Sequence, residues 1–191
     1  MQRRRMSRLT KMAVSAALDI TADEEIHYSI FCSQHGEIVR TRDILASISE
    51  NTEISPTAFA QSVHNTSSGL YTIITKSNHA STSIASGMNS FAHAWLDAQA
   101  YLVGHPQHRV LLVDFDEVIP KEYRRYTGEV DCDHALALLL TGARKDGIEM
   151  SPESDAGEQF LPQGPQFLAW LQGEQRALVL GGDGQGWRWA R

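Results

Sequence analysis

Short apolar runs alternate along most of the chain with stretches in which apolar residues recur at helical spacing. The apolar runs show little apolar–polar alternation, which is typical of strands that are covered on both faces of a sheet. The first run, IHYSIFC, is rich in residues that favour extended structure. The pattern predicts buried strands at residues 26–32, 79–84, 109–115, 135–140 and 176–180.

Helices are predicted between these strands from apolar spacing and from capping signals. Ser55 followed by Pro56 is a strong start signal, because serine caps the first turn and proline suits the first helical position. Within residues 40–50, Thr41 is the expected cap and Asp43 the expected acid of the first turn. The predicted helices cover residues 40–50, the segment that begins at Pro56, and residues 69–75, 87–102 and 165–171.

The N-terminus allows two interpretations. An N-terminal segment rich in arginine and poor in acidic residues can resemble a targeting peptide. Here the segment contains Arg3, Arg4, Arg5 and Arg8. A folded first helix is also expected, because apolar residues recur at helical spacing. That stripe consists of Met6, Leu9, Met12, Ala13, Ala16 and Ala17. We favour the folded helix.

The alternation of helices with buried strands predicts one layered α/β domain over residues 1–191. Residues 142–164 are polar and contain Pro152 and Pro162, so they are predicted to form a loop. The glycine-rich residues 181–186 are predicted to form a turn. Too few residues follow them for the helix that a dinucleotide-binding loop requires.

Composition narrows the classes of function. The net charge of −6 argues against a nucleic-acid-binding protein. No apolar run approaches the roughly 18 residues of a membrane span. Cys32 and Cys132 form no CxxC pair, so we expect neither a disulfide framework nor a zinc site. We expect both cysteines to be buried, reduced thiols, and the protein to lie in the cytoplasm.

Patterns for nucleophilic catalysis are weak. Ser86 precedes Gly87 at a predicted strand-to-helix turn, where nucleophiles often sit. A serine needs a base, however, and spacing alone assembles no triad here. His64 lies in an apolar segment and is interpreted as a hydrogen-bonded histidine, with general-base use as the alternative.

Candidate metal ligands also have simpler interpretations. His105 and His108 form an HxxH pattern in a loop without further ligands at a known spacing. Asp114, Asp116 and Glu117 follow a strand and could hold magnesium, although a solvated turn is the commoner arrangement.

Residues 54–73 resemble a segment of the β-ketoacyl synthase family. The positions that match its pattern are Ser55, Pro56, Asn65, Gly69, Thr72 and Ile73. The opening RRRMSRLTKMAVSAA, and the later RVLLVDFDEVI and DCDHALALLL, resemble other segments of that family in the same order. The resemblance implies the N-terminal half of a layered α/β/α thiolase-like fold, without a cofactor or a metal.

The resemblance places Ile84 where ketosynthases carry their nucleophilic cysteine. Isoleucine has neither a titratable proton nor a lone pair, so acyl transfer to this position is chemically impossible. The family's catalytic histidines belong to a second half that this sequence does not include, and none of its own histidines matches them. The chain is thus similar to a chain-length factor, in the short form found with bacterial aryl polyene and type II polyketide synthases.

A chain-length factor implies a heterodimer with a full-length ketosynthase, which condenses chains on an acyl carrier protein. The resemblance implies that residues 79–84 form the dimer interface. It places Thr57, Ala58, Phe59, Gln61 and Ser62 at the tunnel end, with Asn65, His79 and Ser83 as further tunnel or interface candidates. Plain interface packing is the alternative for each.

Two other functions remain open from the sequence. One is a degenerate thiolase-like homodimer that holds an acyl chain or a carrier protein without a ketosynthase. The other is an enzyme with relocated chemistry that uses Ser86 or His64.

Overall fold

A computed structural model describes residues 6–127, 132–142, 147–154, 156–157, 161–182 and 184–191. Of the four arginines in the targeting interpretation, Arg3, Arg4 and Arg5 lie outside the described residues, and Arg8 begins α1. In chain order the elements are α1 (Arg8–Thr21), β1 (Tyr28–Cys32), α2 (Ile38–Ser49), α3 (Pro56–Ala60), α4 (Thr66–Thr75), β2 (Ala80–Ile84), α5 (Ser90–Gly104), β3 (Arg109–Asp116), α6 (Arg124–Thr127), β4 (His134–Thr141), β5 (Glu149–Glu153), α7 (Gln163–Gln172), β6 (Ala177–Gly182) and β7 (Gln185–Ala190).

Four strands form the central sheet in the order β2-β1-β3-β4. Strand β1 pairs in parallel with both β2 and β3, and β4 runs antiparallel to β3. The register sets Cys32 opposite Ile84 on one side and opposite Asp114 on the other. The predicted strands at residues 26–32, 79–84, 109–115 and 135–140 are confirmed, with ends that differ by at most two residues.

Helices cover both faces of this sheet, so the predicted α/β/α layering is confirmed. Helices α1 and α4 pack on one face, and α5 and α7 pack on the other. Each face has its own apolar core. The first contains Leu9, Ala13, Val14, Phe31, Tyr71 and Phe115, and the second contains Ile30, Phe91, Trp95, Leu112, Phe167 and Trp189.

The first helix is folded, as we favoured from its apolar spacing. Ser7 caps it, because its hydroxyl accepts a hydrogen bond from the Thr10 N–H at 2.9 Å. Leu9, Ala13 and Ala17 are completely buried against the sheet and α4.

A second, antiparallel sheet in the order β5-β7-β6 corrects two expectations. The loop predicted at residues 142–164 contains β5. The turn predicted at residues 181–186 is shorter than expected, because Gly181 and Gly182 end β6 while Gln185 and Gly186 begin β7, a strand that no pattern had predicted. Trp187 and Trp189 of β7 point into the core while Arg188 between them is exposed, so this strand anchors the end of the chain.

Helix α2 also differs from its prediction. It begins at Ile38 with Glu37 in the cap position, so Thr41 is not the cap, and the first turn holds no acid. The Glu37 carboxylate is bound elsewhere, by the hydroxyls of Ser7 and Thr10 at 2.6 Å each. The Glu37 side chain thus binds a segment about 30 residues earlier in the sequence rather than capping α2.

Candidate functional site

A sharp turn joins the end of β2 to the start of α5. Gly87 has φ = 55°, a left-handed conformation that glycine adopts at little cost. The Ser90 hydroxyl fastens the turn, because it accepts a hydrogen bond from the Ser86 N–H at 2.9 Å and donates one to the Gly87 carbonyl at 2.8 Å. The turn therefore has a fixed backbone at the N-terminal end of a 15-residue helix.

Ile84 is the last residue of β2, immediately before this turn. Its carbonyl accepts a hydrogen bond from the Ser33 N–H at 3.2 Å, and its half-buried side chain packs against the core on the α5 side. The side chain is purely aliphatic. This position can provide packing but no nucleophile.

Ser86 and His93 meet at the turn, a contact that sequence spacing had not revealed. The Ser86 hydroxyl lies 2.5 Å from His93 Nδ1, and His93 Nε2 lies 3.2 Å from Gln185 Oε1 of β7. An imidazole that donates from Nε2 to Gln185 is left to accept the Ser86 proton at Nδ1. The sequence offered one indication of this contact: His93 lies in the first turn of α5, which is the part of the helix nearest to Ser86.

Asn89 holds the three parts of this region together. Its side chain is 2% exposed, donates to the Gly182 carbonyl at 2.7 Å, and accepts from Trp187 Nε1 at 3.2 Å and from Gln163 Nε2 at 3.1 Å. The β6–β7 hairpin, α7 and the start of α5 are thereby fixed to one another.

The tunnel candidates on and after α3 lie at the surface. Thr57 and Ala58 line a cavity of about 750 Å³ together with Glu37 and Glu117. Phe59 is 66% exposed and lies outside this lining. Gln61 accepts a hydrogen bond from Arg40 at 2.9 Å, and the Ser62 hydroxyl donates to the Phe59 carbonyl at 2.9 Å. In this chain alone, these residues do not enclose a tunnel.

The remaining candidates cluster beside β2. Asn65 precedes α4 without a capping bond from its side chain, and the Ser83 hydroxyl lies 3.1 Å from that of Ser68 on α4. His79 Nε2 lies 3.1 Å from the Ser29 hydroxyl of β1, and Nδ1 contacts the Ser77 hydroxyl. Asn65 and Ser83 share a shallow polar cavity of about 440 Å³ along β2. His64, placed near this group in the sequence, is half-buried and hydrogen-bonded to the Ser33 carbonyl at 3.0 Å.

Carboxylates at the ends of β1 and β3 are buried, which corrects the expectation of a solvated turn. Glu37, Asp114, Asp116 and Glu117 are each at most 7% exposed. Burial raises the pKa of Glu117 to about 7, and the charges of Glu37 and Asp133 add to this. Burial also raises the pKa of Asp116, against hydrogen bonds from the Gln34 N–H and the Ser33 hydroxyl.

Cys32 and His134 flank Asp114 in the same region. Burial and then the Asp114 charge raise the pKa of the Cys32 thiol, so this cysteine is an unreactive structural thiol. Burial alone would lower the pKa of His134, but its 3.1 Å hydrogen bond to Asp114 raises it. Cys132 is exposed, so the expectation of two buried thiols was wrong for that residue.

No group of three or more His, Cys, Asp or Glu side chains among the described residues is arranged to hold a metal ion. Among the helices that the structure describes, none combines the length and the apolar character that a membrane span requires.

Comparisons with known proteins add to this geometry. The family model "Beta-ketoacyl synthase, N-terminal domain" matches residues 1–190. The chain is similar to one chain of a solved complex of a ketosynthase (ApeO) with its chain length factor (ApeC) from Xenorhabdus doucetiae. That match has 34% identity and a TM-score of 0.88, and it covers 100% of this chain and 80% of the other. The ishigamide ketosynthase/chain length factor shares the fold, with 16% identity, a TM-score of 0.61, and coverage of 79% of this chain and 50% of that one. No curated protein sequence gives a significant match.

Proposed function

Because the chain belongs to the β-ketoacyl synthase N-terminal domain family, we propose that it is a non-catalytic chain length factor that pairs with an active ketosynthase. The observation that carries this proposal is the match along its whole length to a chain of a ketosynthase–chain length factor complex. That matched chain is only about a quarter longer than this one, since this chain covers 80% of it.

The chemistry at Ile84 supports a partner role. The residue stands where the family's nucleophile is expected, and an alkyl side chain can neither attack a thioester nor hold an acyl group. Condensation of chains delivered by an acyl carrier protein then belongs to the ketosynthase. The proposed contribution of this subunit, in polyketide or aryl polyene elongation, is to shape the acyl tunnel.

Strand β2 offers the surface for pairing. Its one described neighbour is β1, and no described strand pairs with its other edge. The carbonyl of Ile84 points towards β1, so the backbone groups of Ser81 and Ser83, an odd number of residues away, point to the open edge. An exposed edge of this kind is a template for a strand of another subunit.

The first experiment tests the pairing through one backbone amide. Co-expression with a ketosynthase from the same gene cluster is expected to give a stable 1:1 complex by size-exclusion chromatography with light scattering. Ser81→Pro removes an outward N–H but leaves the pairing with β1, and is expected to abolish the complex. Ser81→Ala is the matched control, because it removes the same hydroxyl and keeps the N–H.

Two results would contradict the proposal. A chain that stays a monodisperse homodimer in the presence of the ketosynthase would favour the thiolase-like scaffold instead. An undiminished complex with Ser81→Pro, in a variant with unchanged circular dichroism, would move the interface away from β2.

The second experiment tests the proposed tunnel end. Phe59 is the most exposed residue of the tunnel candidates, with a large side chain that a partner could enclose. In the reconstituted complex, Phe59→Ala is expected to lengthen the products, as measured by mass spectrometry of carrier-bound chains. Val103→Ala is the control, since Val103 is an 85% exposed apolar residue at the far end of α5. Products of unchanged length together with weaker binding would assign Phe59 to interface packing.

A further inference from the structure

The contact between Ser86 and His93 has three features of an activated serine. The hydroxyl and Nδ1 are 2.5 Å apart, within reach for direct proton transfer. Gln185 bonds the opposite ring nitrogen at 3.2 Å and so fixes the tautomer that accepts this proton. The edge of the Trp187 ring lies against the imidazole, with 5.7 Å between ring centroids, and limits its rotation.

The surroundings suit a negatively charged intermediate. Ser86 precedes α5, and the N-terminal end of a helix stabilises negative charge. Gly87 is exposed and has no side chain, so a substrate carbonyl could approach the backbone of the turn.

We propose that Ser86 and His93 form a nucleophile–base pair that hydrolyses short acyl esters and thioesters. Ser86 Oγ forms a bond to the acyl carbon while His93 takes the serine proton; the bond from carbon to sulfur breaks, and His93 protonates the departing thiolate. Water then attacks the acyl-serine with His93 as base. The carboxylic acid leaves and Ser86 regains its proton. This hydrolysis goes beyond the partner role proposed above, in which the chain is non-catalytic with respect to condensation, and does not depend on it.

A second serine–histidine contact provides an internal comparison. Ser77 lies against His79 Nδ1, but in the loop between α4 and β2 rather than at the start of a helix, and His79 Nε2 faces a serine hydroxyl instead of an amide oxygen. Ser77→Ala is therefore the matched control for Ser86→Ala.

The test uses the complex with a ketosynthase whose active-site cysteine is replaced by alanine, or this chain alone where no complex forms. A fluorophosphonate probe is expected to label Ser86, as mapped by peptide mass spectrometry. Hydrolysis of p-nitrophenyl butyrate and of butyryl-N-acetylcysteamine is expected to fall by about 100-fold or more with Ser86→Ala and with His93→Ala. Gln185→Leu is expected to lower kcat with KM unchanged, as for a positioning residue. Ser77→Ala is expected to change nothing.

The result that would overturn the proposal is the absence of a phosphonate adduct on Ser86 in a folded sample. Equal turnover in the parent protein and in Ser86→Ala would do the same. Circular dichroism and melting curves confirm that each variant is folded, so lost activity is not mistaken for lost structure. Formation of the heterodimer is measured separately, so the partner role and the hydrolysis by Ser86 and His93 can each be contradicted independently of the other.

Discussion

At the scale of single residues, the side chain of Asn89 makes three buried hydrogen bonds that its position in the sequence does not predict. One amide group satisfies a backbone carbonyl, a tryptophan N–H and a glutamine N–H, and all four groups are buried. A buried polar group without a hydrogen-bond partner lowers the free energy of unfolding by about 1–3 kcal/mol. Loss of the Asn89 amide would leave several such groups without a partner at once. Asn89 also bonds Gly182, which pairs with Gln185 across the β6–β7 hairpin.

Asn89→Ala is expected to lower the free energy of unfolding by about 2–3 kcal/mol, because three buried groups lose their partner. Urea denaturation followed by circular dichroism measures this change. Asn78→Ala, at an exposed position before β2, is the control and should change stability by less than about 0.5 kcal/mol. A loss below about 1 kcal/mol in Asn89→Ala would mean that water or neighbouring groups replace the amide.

At the scale of elements, the sequence predicted what depends on local pattern. Strands β1, β2 and β3 were predicted because each is a compact apolar or β-favouring run. Helix α3 was predicted because Ser55-Pro56 is a capping signal, and the Ser55 hydroxyl accepts a hydrogen bond from the Ala58 N–H. Strand β5 was missed because its sequence, EMSPE, is polar and contains a proline. It exists because β7 pairs with it, a contact that propensity does not encode.

The candidate site divides in the same way. The turn between β2 and α5 was predictable from Ser86-Gly87 and the following apolar stripe. The pairing of Ser86 with His93 required the exact geometry of the turn, and the contact with Gln185 required a strand 92 residues after His93. Local pattern thus located the site but not its base.

At the scale of the whole molecule, four buried carboxylates lie at one end of the central sheet. The carboxyl ends of β1 and β3 bring Glu37, Asp114, Asp116 and Glu117 together beneath the N-terminus of α1. Several contacts compensate the buried charges: the hydroxyls of Ser7 and Thr10 bind Glu37, and His134 binds Asp114. The Ser33 hydroxyl binds Asp116, and Arg8 lies close enough to lower the pKa of Glu117 in part.

This arrangement predicts that Glu117 destabilises the isolated chain more in neutral solution than in mild acid. The unfolded chain releases the Glu117 proton near pH 4.5, whereas the folded chain holds it until about pH 7. Between these values the folded state binds more protons, so the free energy of unfolding falls as the pH rises, and the penalty is complete above pH 7. Burial is the main cause, and because Glu117 lines the open cavity next to α3, solvent screening reduces part of the effect.

Glu117→Gln removes this titration and is expected to stabilise the protein at pH 8 by about 1–2 kcal/mol, after allowance for that screening, with little gain at pH 4.5. Urea denaturation at both pH values measures the difference. Glu50→Gln, at the exposed end of α2, removes the same charge without the burial and should give no gain that depends on pH. An equal gain for Glu117→Gln at both pH values would mean that packing, and not the buried proton, limits stability at this end of the sheet.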